Sequence, residues 1–153
     1  MQWLKQDLQQ YIQAKEYVDT VIVPLIPFQL SQDTNLAKNA FQGEVLSIFA
    51  KEIEKGLTGR ILLAPNYYYL NSESKEKEIS RLNAWTENIF TQPFKHLFFV
   101  TFDASWKKNE QALDGTLLWL PGIQSGDIQS KEMHSFIHDQ VNQISELIKS
   151  YWA

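Results

Sequence analysis

Val18-Asp19-Thr20-Val21-Ile22-Val23-Pro24-Leu25-Ile26-Pro27-Phe28 is the stretch on which the fold turns. From Val18 to Val23 it is β-branched and almost continuously apolar, so neither face is left polar for water. A strand of that kind is covered on both sides, as in a parallel sheet flanked by helices. Pro24 has no N–H to give a ladder and is read as the end of the strand, with Leu25 to Phe28 an irregular apolar loop.

Working outward, Leu4, Leu8, Tyr11 and Ile12, with Tyr17 close behind, recur at helical spacing and give one face to bury. Downstream, Ser31, Asp33 and Thr34 offer N-caps for a second helix, whose inner face is Leu36, Ala40, Phe41, Val45, Ile48, Phe49 and Ile53. Gly56 is its stop. The unit then recurs. Arg60 to Ala64 is a strand closed by Pro65, and a tyrosine-rich loop from Asn66 to Leu70 leads to caps at Ser72 or Ser74. A third helix carries Ile79, Leu82, Trp85 and Ile89. Pro93 separates that helix from a strand over Leu97 to Phe102, which ends at Asp103.

Thr116 to Leu120 is a fourth strand, closed by Pro121-Gly122, and a final helix runs from about Gln129 to Tyr151. The polar segment between the last two strands suits either a crossover or a long hairpin, so the last strand is parallel or an antiparallel edge. The expectation is one α/β domain over residues 1–153. It is a three-layer α/β/α sandwich of about four mostly parallel strands, Rossmann-like or flavodoxin-like.

Composition narrows the function classes. A chain of 153 residues buries enough apolar surface to fold without disulfides or metal, and it has no cysteine for either. The net charge is −4 and no basic run exceeds Lys107-Lys108, so nucleic acid and anionic lipid are not expected partners. The opening residues are polar and unlike a secretory signal, and Val21 to Leu30 is too short to cross a bilayer. A cytoplasmic protein with no integral membrane segment is expected.

In open parallel sheets, ligands bind beyond the carboxyl ends of the strands. Pro24 to Phe28, Pro65 to Tyr69, Asp103 to Trp106 and Pro121 to Ile123 crowd that edge. Phe28, Tyr67 and Trp106 are candidate ligand-binding walls. Asp103 is the one candidate catalytic acid or base, and it is equally suited to cap the next turn with Ser105. His134 and His138 stand four apart, a spacing that can place two imidazoles on one metal, but without the Glu of a metalloprotease motif they read as a solvated face. His96, at the amino end of a strand, reads as structural. No glycine-rich phosphate loop and no serine-hydrolase elbow follows any strand, so no cofactor or metal is expected.

Tyr11-Ile12-Gln13-Ala14-Lys15-Glu16-Tyr17-Val18-Asp19-Thr20, running into Val21 to Pro27, resembles the YpiF-like family. These are small uncharacterised proteins of Bacillus-type Firmicutes assigned to a domain of unknown function. The resemblance brings no activity, catalytic residue or cofactor. It implies a membrane-respiration context, because members are encoded near genes of the menaquinol–cytochrome complex. Within that stretch Lys15, Glu16 and Asp19 are either a helix-to-strand junction or the polar groups of an interaction surface. The many aromatic residues, 13% of the chain, without a catalytic constellation favour a non-enzymatic binding or accessory domain that recognises a protein or a small ligand. Its rival is a small-molecule enzyme at the carboxyl edge, with Asp103 as acid/base.

Overall fold

The computed structural model describes residues 1–71, 74–123 and 126–153. Its elements are α1 (Lys5–Gln13), β1 (Thr20–Phe28), α2 (Asp33–Gly56), β2 (Ile61–Leu63), β3 (Tyr67–Leu70), α3 (Glu76–Ile89), β4 (His96–Thr101), β5 (Thr116–Trp119) and α4 (Lys131–Trp152). Short 3₁₀ segments occupy Lys15–Tyr17 and Ala104–Ala112. The sheet runs β2-β1-β4-β5, with β3 pairing β1 beyond β2.

Every pairing is parallel, β4 with β5 included. This settles the orientation left open by the sequence: the polar segment is a crossover, pinned to the sheet by Trp106 of its 3₁₀ helix, which is wholly buried. Both faces of the sheet are covered. Val21, Val23 and Leu25 of β1 pack in a cluster with Leu82 and Trp106, while Ile22 and Ile26 pack with Phe49 and Ile53 of α2 and Ile144 and Ile148 of α4. The α/β/α layering expected from an apolar β1 is what the chain adopts.

Two prolines lie inside β1, contrary to the reading of Pro24 as its end. Amide direction alternates along a strand. Thr20 N donates to Arg60 O, Ala64 N to Ile22 O and Asn71 N to Phe28 O, so the even-numbered residues address β2 and β3. Lys95 N and His96 N donate to Asp19 O, so the odd-numbered ones address β4. Pro24 therefore aims its missing N–H at the break between β2 and β3. Pro27 aims its own past the last β1–β4 pair, Pro24 with Val100. Neither proline removes a ladder bond, and the strand runs on to Phe28.

That break also sets where three tyrosines point. From Ile22 to Leu25, β1 advances three residues, while its neighbour advances four, from Leu63 to Tyr67. One extra residue exchanges the faces of everything beyond it. Tyr67 and Tyr69 thus enter the α3 side and are buried, and Tyr68 faces the α2 side and is 61% exposed. Asn66 to Leu70, expected as a loop, is largely this fifth strand.

Helix boundaries differ locally. Gln32 takes the N-cap position of α2 and Lys75 that of α3, with no side-chain cap bond at either among the described residues. Of the expected caps for α3, Ser72 lies outside the described residues. Ser130 does cap α4, accepting from Met133 N at 3.1 Å. On α1, Tyr11 is buried, but Ile12, and Leu4 and Tyr17 on either side of the helix, expected inward, are exposed.

Candidate functional site

If β2 and β3 are taken as one interrupted strand, the spatial order becomes the second, first, third and fourth strands, as a flavodoxin-like sheet begins. The direction of winding reverses beside β1, and two clefts open at its carboxyl end. The larger, about 800 Å³, has Ile26, Phe28 and Tyr68 on the sheet and Leu36, Ala40 and Gly43 on α2. It is mostly apolar, with Gln29, Asn39, Glu44 and Ser47 as its main polar members. The fully buried residues of α2 begin at Val45, with Phe41 packed partly buried against the same core, and Ala40 is exposed and lines the cleft. At Gly43 helix and strand close: a Cβ there would stand 3.1 Å from Ile26 Cγ2.

The smaller cleft, about 220 Å³, lies between the ends of β1 and β4. Lys38, Asn39, Gln42, Asn71 and Asp103 supply its polar lining. Gln42 is half-buried; its Nε2 donates to Ile123 O, and its Oε1 has no partner among the described residues. Gly122 leaves room for that placement, since a Cβ there would collide with Gln42 Oε1. The two clefts share Ile26, Pro27 and Asn39.

Asp103 faces the smaller cleft but is heavily engaged. Its Oδ1 accepts from Ser105 N at 2.9 Å and from Ser105 Oγ at 2.6 Å, while Oδ2 accepts from the Tyr69 hydroxyl at 2.5 Å. Lys75 Nζ stands 3.8 Å from Oδ2, its side chain only 4% exposed, and lies 5.1 Å from the ring centres of both Tyr69 and Trp106. Burial opposes the charge on Asp103, but the Ser105 and Tyr69 hydrogen bonds and the Lys75 ammonium outweigh it and hold the carboxyl below its ordinary pKa. The same surroundings push the Tyr69 hydroxyl up, through burial first and then the Asp103 charge. A carboxylate so stabilised has little drive to take a proton at neutral pH.

The expected walls separate. Phe28 is 45% exposed and lines the larger cleft. Tyr67 and Trp106 are buried on the opposite face, Tyr67 donating to Glu78 Oε2 at 2.6 Å and meeting Trp85 edge-on at 5.0 Å. The structure thus brings Phe28 together with Tyr68, Ala40 and Gly43, which the sequence did not single out as binding residues. The available signal was an apolar helix face, Leu36 and Ala40, that continues beyond the segment the core can cover.

A match to the family model for a protein of unknown function, DUF2487, covers residues 9–152. The chain belongs to that family. The uncharacterised protein YpiF of Bacillus subtilis (strain 168) is 28% identical over 153 residues, 100% of this chain and 99% of that protein. This bears out the resemblance carried by Tyr11 to Pro27. No solved structure matches the chain.

At the opposite, amino edge of this DUF2487 sheet lies the other expected surface. Lys15 sits 5.9 Å from the Tyr11 ring centre, and Glu16 is exposed. Asp19 is turned away from both: its carboxylate accepts Arg60 Nε at 3.0 Å and Nη2 at 3.1 Å, and also Thr20 Oγ1 at 2.9 Å. Burial opposes charge on Asp19, yet Arg60 and Thr20 hold its pKa below the ordinary value. The Arg60 guanidinium lies 3.9 Å from the Trp152 ring centre, and Trp152 Nε1 donates to Thr20 Oγ1 at 2.8 Å. Asp19 therefore joins the starts of β1 and β2 to the end of α4.

His134 and His138 are exposed on α4, His138 pairing with Asn142 at 3.2 Å. Among the described residues no group of three or more His, Asp or Glu side chains is placed to hold a metal, and no helix is long and apolar enough to cross a membrane.

Proposed function

We propose that this DUF2487 protein is a cytoplasmic, non-enzymatic binding or accessory domain for an amphipathic small molecule. The ligand's apolar body lies in the larger cleft and its polar head in the smaller one. The observation that carries the reading is the junction of the two clefts at Ile26, Pro27 and Asn39, mostly apolar on one side and mixed, with Lys38, Asn71 and Asp103, on the other. The larger cleft has the size of a small-molecule site, in which a few polar groups orient a mainly apolar ligand. Lys38, Asn39 and Asn71 line the smaller cleft and supply polar groups for the head. In the membrane-respiration setting that the resemblance implies, such a domain would act as an accessory protein.

The uncharged fluorophore Nile red tests the apolar half. Saturable one-to-one binding is expected. Ala40→Trp, at an exposed cleft position, should weaken it at least about tenfold, or 1.4 kcal/mol. Unsaturable binding, or binding that Ala40→Trp leaves intact, counts against the reading.

The second reading, an enzyme, is favoured by Asp103 facing the polar cleft beside Lys38 and Gln42. Turnover of a metabolite that Asp103→Asn abolishes in a still-folded protein would establish it over the first.

A further inference from the structure

We propose that two copies of this chain pair edge to edge through β3, antiparallel about a two-fold axis at Tyr69. Each Tyr68 then lies beside the partner's Leu70. The inference begins with backbone chemistry. Asn71 N donates to Phe28 O, so by alternation Tyr67 and Tyr69 also turn their amides to β1, and Tyr68 and Leu70 turn theirs outward. Among the described residues β3 pairs with β1 alone, and no backbone group from elsewhere bonds to Tyr68 or Leu70.

The edge of β2 is treated differently, since Leu63 N donates to Met1 O. Free edges are normally blunted by charge, proline or a covering segment, because an open row of N–H and C=O groups templates another strand. Tyr67 to Leu70 carries no charge and no proline, and Pro65 stops the open stretch from running back along β2.

A second copy is the occupant that this edge fits. Antiparallel pairing centred on Tyr69 sets Tyr68 opposite the partner's Leu70 and Leu70 opposite the partner's Tyr68. Both are outward-facing residues that exchange their backbone bonds. The paired side chains share the α2 face, where an aromatic against an aliphatic is a favourable cross-strand pair. No like charges meet across the axis.

Tyr68 and Leu70 are each 61% exposed, with Phe28 at 45% and Leu30 at 74% on the same side of the molecule. Phe28, Leu30 and part of Tyr68 also line the larger cleft, so Tyr68 and Leu70 supply most of the paired surface, roughly 500 Å² in the pair and below the ~1,000 Å² of a stable interface. The dimer is accordingly weak and concentration-dependent.

Sedimentation velocity on the full chain over about 1–500 μM, a range suited to so small an interface, tests this. A monomer–dimer equilibrium is expected. Tyr68→Lys and Leu70→Glu should each raise the dissociation constant at least about tenfold, while the circular dichroism spectrum, taken at a concentration where the parent is monomeric, stays as in the parent. Mixing the two monomeric variants should restore a heterodimer, because the pairing sets the new ammonium beside the new carboxylate. A wild-type chain that stays monomeric overturns the proposal and leaves the edge to a strand from another protein. A dimer that survives both substitutions, or a mixture that stays monomeric, overturns the interface or its register.

Discussion

Trp106→Ala is expected to destabilise the protein by about 3–5 kcal/mol, the usual cost of removing a fully buried large aromatic side chain. Trp106 is the wholly buried residue of the 3₁₀ segment that links β4 to β5. It meets Tyr69 edge-on at 5.1 Å, and the Lys75 ammonium lies 5.1 Å from its ring. Its loss leaves a cavity under the crossover and takes an aromatic surface from a buried cation. Against a total stability of roughly 5–15 kcal/mol, that is enough to put part of the population in the unfolded state at elevated temperature. Urea denaturation followed by circular dichroism measures it. Trp106→Phe, which keeps most of the ring contact, should cost less than half as much. Equal losses for the two variants would mean that something other than packing fixes the crossover.

Asp103→Ala should destabilise by about 3 kcal/mol, because it strands a charge. Lys75, with its side chain 4% exposed, loses its counter-ion, and Tyr69 and Ser105 lose their acceptor. Removing the charge as well, in Lys75→Met with Asp103→Ala, should cost less than the two single losses together, by roughly 1–3 kcal/mol. The sign of the pH dependence follows from the lowered Asp103 pKa. Its contribution is complete above the ordinary aspartate value of 3.8 and disappears as pH falls through the lower folded value. The stability gap between the parent and Asp103→Asn should therefore be constant near neutrality and close progressively in acid below about pH 4. A gap that widens in acid would contradict the ion-pair account.

Much of the fold could be read from local pattern, because the controlling physics is local. Val21 to Val23 is too apolar for a wet face, and α4 keeps Met133, Ile137, Ile144 and Ile148 at a helical period that the structure buries. Other features depended on partners far away in sequence. Pro24 sits inside β1 only because β2 and β3 leave a gap at that height, and no local feature of Pro24 reveals it. Tyr67, expected at a ligand wall, is buried because one extra residue before it reverses the face it presents. The orientation of β5 likewise follows from Trp106 anchoring a segment whose other residues are largely polar.

The carboxyl edge was legible as a place, and its contents only in part. Phe28 and Asp103 both border clefts there, but one is a wall and the other is bound up by Tyr69, Ser105 and Lys75. Asp103 next to Ser105 already suggested a cap. Tyr69 and Lys75 reach Asp103 from β3 and the start of α3, a convergence created by the parallel pairing and invisible to spacing. Arg60 and Trp152, which take up Asp19 and Thr20 at the opposite edge, are distant for the same reason.

Binding is assigned to the apolar cleft, and the charged cluster behind Asp103 serves to hold the fold. Amide resonances of the labelled protein titrated with Nile red test this directly. The predicted result is saturable shifts at Phe28, Gly43, Ser47 and Tyr68, with those at Trp106 and Ser105 unmoved. Shifts concentrated at Asn71, Asp103, Ala104 and Gly122 instead, with Gly43 and Tyr68 unmoved, would contradict it.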